Sequence, residues 1–318
     1  MSHQTVSRYL RDRDGLKAAN RVRVEDAIKQ LGYRPNLVAR SMRTRRSGRL
    51  AILIPPQSSF SPSRMLSGAV EIAHSAGYIT EIMSLDGGAQ ARTERMLELA
   101  DSGQVEGILS LAPLAPSSRQ DMVGRAAVVV SGDYDDEMRG IGELADGSPV
   151  AEMMEHLASQ GHRRFLHVAG SQQFASARGR KQVYLDTIKR LGLESAGVFD
   201  GDWSAESGIE SITGLPDDAG VTAIIAANDL VAAGVIRGAA NRGWRVADDI
   251  SVTGWDNNPL GGYLHPTLTT VAVNHEELGR RAMRRLVIAV GGTSPDGADT
   301  TTPLNTIIWR DSTAPAKQ

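Results

Sequence analysis

Hydrogen-bonding side chains crowd the first eleven residues. Gln4, Ser7, Arg8 and Arg11, with His3 beside them, fall on or near the outer face of a short helix starting at Thr5. Its inner face is Val6 and Leu10, spaced i, i+4. Those residue types suit the edges of a nucleic-acid groove: a carboxamide matches adenine, a guanidinium matches guanine, and hydroxyls reach phosphates. The plainer alternative for this segment is a solvated helix end. Enzymatic chemistry is harder to assemble. Cysteine is absent, the seven histidines lack an H-E-x-x-H spacing, and neither a Gly-x-Ser-x-Gly elbow nor a phosphate-binding glycine loop occurs. Asp202 and Glu206 lie four apart, on one face if helical. Glycoside hydrolysis wants two carboxyls about 5–5.5 Å apart, normally on different elements of a cleft. The chain therefore reads as a binding protein, not an enzyme, with no cofactor and no metal site.

The charge distribution points the same way. A formal net charge of −2 hides a split: residues 1–50 hold 13 Lys and Arg against 4 Asp and Glu, and the remainder holds 22 against 33. A basic, helix-patterned arm on an acidic body suits a nucleic-acid partner. The N-terminus is polar and basic with no apolar signal segment behind it. No run approaches the roughly 18 apolar residues of a membrane span. The expectation is a cytoplasmic, nucleoid-associated protein with no membrane partner.

The elements that must position these groups follow from periodicity. A helix is predicted over Ala18–Leu31, with Val24, Ala27, Ile28 and Leu31 on one face for packing against the first segment. From Leu50 onward, short apolar runs alternate with amphipathic helices, as in βα units with parallel strands. Predicted strands are Leu50–Ile54, Tyr78–Met83, Val105–Leu111 and Ala126–Val130, with helices over Ser63–Ala76 and Arg92–Ser102. A second series comprises Phe165–Ala169, Val198–Phe199, Thr222–Ala227 and Ser251–Trp255. Two doubly wound halves with a cleft between them are expected, and such folds bind ligands outside the carboxyl ends of their strands. Four polar strings stand there: Ser176-Ala177-Arg178-Gly179-Arg180, Gly201-Asp202-Trp203-Ser204-Ala205-Glu206-Ser207-Gly208, Ala227-Asn228-Asp229 and Gly254-Trp255-Asp256. Asp229 is read as a turn or N-cap residue, and His162 and His167 as scaffold.

The order of these strings, the opening segment, and the run Leu31-Gly32-Tyr33-Arg34-Pro35-Asn36 before a basic stretch together resemble the lactose-repressor (LacI/GalR) family of bacterial transcription regulators. The resemblance runs to the C-terminus. It implies an α/β periplasmic-binding-protein-like body of two doubly wound parallel-sheet subdomains behind a small all-α helix-turn-helix headpiece. Residues 1–35 would be the headpiece, 36–49 the hinge helix and linker, and 50–318 the effector-binding and dimerisation domain. Within that domain, one subdomain would take about 50–145 plus 272–303, and the other about 146–271 plus 304–312. In this family a first helix and turn precede the recognition helix, so the coding sequence is expected to extend about 15–20 residues further upstream. Family members usually cap the next helix with Ser or Thr; Lys17 stands there.

By the same resemblance His3, Gln4 and Arg8 read bases, while Thr5 and Ser7 contact phosphates. Asn36 would cap a hinge helix carrying Arg40 and Arg43, with Met42 as the minor-groove wedge where Leu is usual. The resemblance also gives Arg180, Asn228 and Asp256 to the hydroxyls of a bound sugar and Trp203 to its C–H face, a division that pyranose chemistry favours. Two departures stand out: Ser131 replaces a sugar-binding carboxylate, and His275 replaces an aromatic that closes the cleft. The function implied is a homodimeric DNA-binding repressor, released from double-stranded operator by a small sugar of the galactoside or β-glucoside class. The alternative is a sugar-binding receptor of the transport type without DNA binding.

Overall fold

The computed structural model describes residues 5–6, 9, 17–32, 46–54, 63–111, 114–115, 126–130, 146–291 and 303–317, in two compact units, 1–48 and 49–318. In the first unit Thr5, Val6 and Tyr9 are helical, and helix α1 spans Ala18–Leu31. Tyr9 and Val24 are buried, and the Tyr9 hydroxyl donates to Glu25 at 3.1 Å, joining the two segments. No side chain caps α1 at Lys17, as its residue type predicts. Gly32 closes the helix with φ 56°, donating its N–H back to Ile28 and Lys29. One expectation fails. Leu31, the last residue of the helix, is 80% exposed although it shares the face of Val24.

The second unit repeats one topology. Strands β1 (Arg49–Ile54), β2 (Ile79–Ser84), β3 (Gly107–Ser110) and β4 (Ala127–Val130) form a parallel sheet in the order β2-β1-β3-β4. Strands β5 (Arg164–Ala169), β6 (Glu194–Asp200), β7 (Ala223–Ala226) and β8 (Ser251–Thr253) form another, ordered β6-β5-β7-β8. In both, the second strand lies outside the first and the third on its other side. The connections reverse direction there, which opens a crevice at the carboxyl ends of β1 and β3, and of β5 and β7. Strands β3, β7 and β8 are buried at every position, the signature of parallel strands covered on both faces. β6 is longer than expected, and β8 stops before Trp255.

The first sheet carries helices α2 (Ser63–Ser75) and α3 (Ala89–Asp101). The second carries α4 (Ser148–Ser159), α5 (Ala175–Leu191), α6 (Ala205–Thr213) and α7 (Asp229–Asn241). Strand β9 (Thr270–Val273) then returns to the first half, where α8 (His275–Ala289) packs on α2 and β3. Strand β10 (Asn305–Ile308) pairs antiparallel with β9 on its way back. Alternation along each strand sorts its residues between two cores. Leu50 and Ile52 join a cluster that continues through Val271 and Val273 to Phe165, Tyr184, Ile225 and Trp255. Ala51 and Leu53 face a separate cluster with Met96 and Ile108. One continuous apolar seam thus runs through both halves along the crossover strand. Among the described residues, no helix is long and apolar enough to cross a membrane.

Candidate functional site

The polar strings do converge at the carboxyl ends of the second sheet. Arg180 projects from α5, is 5% exposed, and donates from Nη1 to the Ala227 carbonyl at 2.6 Å. Its guanidinium lies 3.9 Å from the centre of the Trp255 ring and 5.8 Å from that of Trp203. A desolvated cation stacked on indole this closely contributes about 2 kcal/mol. Trp255 itself is almost wholly buried, so it serves as the platform beneath Arg180.

Trp203 sits in the turn between β6 and α6 with φ 73°, and Ser204 caps that helix by accepting from Ser207 N–H at 3.1 Å. The indole lies flat on the backbone of Gly170, where an added Cβ would stand 2.4–2.5 Å from its ring atoms. Phe174 meets the indole edge-on at 5.8 Å. Only a residue without a side chain at 170 allows this stacking. Gly170→Ala is therefore expected to displace Trp203 and shift its emission by several nanometres while β5 stays intact. An unchanged Trp203 signal, measured with the other three tryptophans replaced by Phe, would refute that packing.

Asn228 follows β7 by two residues and caps α7: its Oδ1 accepts from Val231 N–H at 2.8 Å. The cap expected of Asp229 thus belongs to its neighbour, because Asn228 alone has the extended backbone (φ −152°) that turns a side chain onto the helix end. Asp229 is instead buried, and burial together with the nearby Asp256 charge raises its pKa to about 7.

Asp256 follows with φ 95° and Asn257 with φ 47°, so three of the four described non-glycine residues with positive φ belong to this site. Such conformations cost about 1–3 kcal/mol each and persist where their surroundings hold them. Asp256 Oδ1 lies 3.5 Å from His275 Nε2, a contact between the two halves. Asn274 caps α8 through Glu277 N–H at 3.1 Å, which places His275 in the first turn facing the other half.

Asp202 and Glu206 are not one helical face. The helix starts at Ala205, and Asp202 stays outside it, exposed, its pKa lowered by hydrogen bonds from Ser204. His167 is fully buried, stacked on Tyr184, and donates from Nδ1 to the Ile225 carbonyl at 2.8 Å; burial lowers its pKa to about 4. It is a neutral scaffold residue. So is His162, whose Nε2–H donates to the Ala314 carbonyl at 2.8 Å, beside Ser251. Thr5 is helical and half-buried. His3, Gln4, Ser7, Arg8, Asn36, Arg40, Met42, Arg43 and Ser131 lie outside the described residues. Gly170 and Phe174 carry the site without having been singled out, and Trp255 does so from a polar string in which it had no role of its own. Their common signal is position, each within a few residues of a strand end. Among the described residues, no cluster of three or more His, Asp or Glu could hold a metal ion.

Two family models match the chain. "Periplasmic binding protein-like domain" covers residues 154–313, and "Bacterial regulatory proteins, lacI family" covers residues 1–36. The HTH-type transcriptional repressor CytR of Escherichia coli (strain K12) is 27% identical, over 92% of this chain and 87% of its own. Among solved structures, a Lac repressor dimer bound to operator and the anti-inducer ONPF superposes with a TM-score of 0.81 at 25% identity, over 99% of this chain and 96% of that one. A complex of the transcriptional regulator CelR with cellobiose gives a TM-score of 0.69 at 25% identity, over 98% and 96%.

Proposed function

Because the chain belongs to the lacI family of bacterial regulatory proteins, with a periplasmic-binding-protein-like body behind a lacI-type N-terminal segment, we propose that it is a homodimeric transcriptional repressor whose hold on operator DNA is weakened by a small sugar. The observation that carries this reading is the meeting of Arg180, Trp203 and Asn228 from one half with the Asp256–His275 contact between the halves. A guanidinium, a carboxylate and an amide suit the vicinal hydroxyls of a pyranose, and an indole suits its C–H face. His275 adds a donor from the opposite half, so a ligand touching both sides would draw them together. The CelR complex with cellobiose favours the β-glucoside arm of the sugar class. Ser131, next after β4 in the sequence, is assigned to the same sugar site.

In this reading the N-terminal segment reads one half-site through His3, Gln4 and Arg8, with Thr5 and Ser7 on phosphates. Asn36, Arg40 and Arg43 belong to a hinge helix that wedges Met42 into the minor groove. Sugar favours a relative rotation of the N-terminal halves of the two bodies in the dimer, which separates the paired hinge helices and unfolds them, an order–disorder switch. Operator must then weaken sugar binding by the factor by which sugar weakens operator binding.

Titration with cellobiose, methyl β-D-galactopyranoside and related glycosides tests this through Trp203 fluorescence. One of them is expected to shift the emission saturably in the parent protein and not in Asp256→Ala. Silence across the panel, or an unaltered response in Asp256→Ala, would count against the sugar site. A gel shift with operator-length duplex separates a repressor from a transport-type receptor.

A further inference from the structure

We propose that Asp229 is a positioning residue that couples the loop carrying Asp256 to the crossover strand β9. The inference deepens the sugar-site reading and rests on it for the role of Asp256. The geometry is a single carboxyl group with one oxygen on each partner. Oδ2 accepts the Asn258 backbone N–H at 2.5 Å, and Oδ1 accepts the Thr270 hydroxyl at 2.5 Å. Asn258 closes the segment in which Asp256 and Asn257 both take left-handed backbone angles. Thr270 opens β9, which runs through Val273 directly into His275 and α8 of the other half.

Other bonds converge on the same span. Asp229 N–H donates to the Trp255 carbonyl at 2.9 Å, and Asp256 N–H donates to Val271 at 2.8 Å. Arg310 donates to Asn257 Oδ1 at 2.8 Å and to the Leu268 carbonyl at 2.9 Å. The Thr270 hydroxyl also accepts from Asn257 N–H at 3.3 Å. Gly254 makes the arrangement possible, since a Cβ there would stand 2.3 Å from Asp229 Oδ1. The effector carboxylate, its strained backbone and the strand between the halves are thus tied through one buried side chain.

That side chain also senses charge. Burial raises the Asp229 pKa to about 7, and the Asp256 carboxylate pushes the same way, against the bonds from Thr270 and Asn258. The charged groups around the pair are Arg310 after β10, His275 facing Asp256, and Arg180 bonded to Ala227 beside the start of α7. Sugar hydroxyls donating to Asp256 would steady the 256–258 segment, and the two bonds of Asp229 pass that restraint to Thr270 and β9. A bound sugar would in this way tighten the link to β9.

Hydrogen–deuterium exchange on the whole chain tests this, with the parent, Asp229→Asn and Thr270→Val, alone and saturated with cellobiose or methyl β-D-galactopyranoside. In the parent, ligand is expected to slow exchange in both 256–258 and 270–273. In Thr270→Val at saturation it should slow only 256–258, an uncoupling that mere loss of affinity would not produce. In Asp229→Asn without ligand, exchange at Asn258 should rise at least tenfold. Corrected for the intrinsic rate, exchange at Asn258 should also change through neutral pH in the parent and stay flat in Asp229→Asn. Equal protection of β9 in Thr270→Val and the parent would overturn the proposal, as would Asn258 exchange within twofold of the parent in Asp229→Asn. If neither glycoside protects the parent, the sugar reading fails, while Asn258 exchange and its pH profile still decide the role of Asp229. If Asp229→Asn does not fold, Thr270→Val decides it.

Discussion

If the proposed sugar site is right, Arg180→Met is expected to bind the glycoside that the parent binds about 30-fold to several thousand-fold more weakly. The range follows from the 2–5 kcal/mol lost when one partner of a desolvated, charged hydrogen-bonded set is truncated, at 1.4 kcal/mol per decade. Arg180 is placed for such an effect because its position is over-determined. Helix α5 brings it to the strand ends, the Ala227 carbonyl holds Nη1 at 2.6 Å, and Trp255 supports the guanidinium plane at 3.9 Å. A guanidinium fixed before ligand arrives loses little side-chain entropy on binding. Methionine keeps most of the volume and leaves the Trp255 surface covered, so the fold should survive. Operator affinity without effector should stay within about twofold, since the DNA-reading segment lies in a separate unit. Calorimetry gives the sugar affinity and fluorescence anisotropy the operator affinity. Sugar binding within threefold of the parent would remove Arg180 from the site.

Why Arg180 could be found in the sequence, while its platform could not, is a matter of range. Strand and helix periods are local, so α1, β1, α2 and β5 fall within a residue or so of the expected bounds. The polar strings at strand ends are equally local. Trp255 differs in that its burial depends on α5 crossing above it, a contact across 75 positions that no window of sequence contains. The same holds for Asp229. Asn228 and Asp229 are equally good caps by type, and the choice is made by Thr270 and Asn258, which capture the Asp229 carboxyl and leave Asn228 for the helix end. The left-handed backbone of Trp203 is likewise invisible in sequence, since nothing in an aromatic side chain announces it.

The largest effect on stability is expected from Gly279→Ala, a loss of about 3 kcal/mol or more. Overpacking ordinarily costs about 1–3 kcal/mol and more where neither side can yield. Here neither can. The two halves each close on a helix pair that crosses backbone to backbone. On α2 and α8, a Cβ at Gly68 would stand 2.0 Å from the Glu276 carbonyl oxygen, and one at Gly279 would stand 1.9 Å from that of Met65. On α6 and α7 the reciprocal pair is Gly208 against Val231, at 2.2 Å, and Gly234 against Ala205, at 1.9 Å. The opposing atoms are main-chain carbonyls bound into helical ladders, so relief requires the helices to separate. Separation would open the seam that buries Met65, Ala69, Leu278, Ala282 and Met283. Gly262→Ala is the control, since a Cβ there meets nothing within 4 Å. At about 2–4 °C per kcal/mol for a body of this size, thermal unfolding of Gly279→Ala should fall by about 6–12 °C, against about 1 °C or less for the control. Gly279 also lies one turn beyond His275 on α8. Helix separation should therefore lengthen the 3.5 Å contact between His275 and Asp256 and weaken sugar binding in the folded fraction. A variant that melts with the parent would mean the helices can part at no cost, and the close crossing would lose its role in setting that contact.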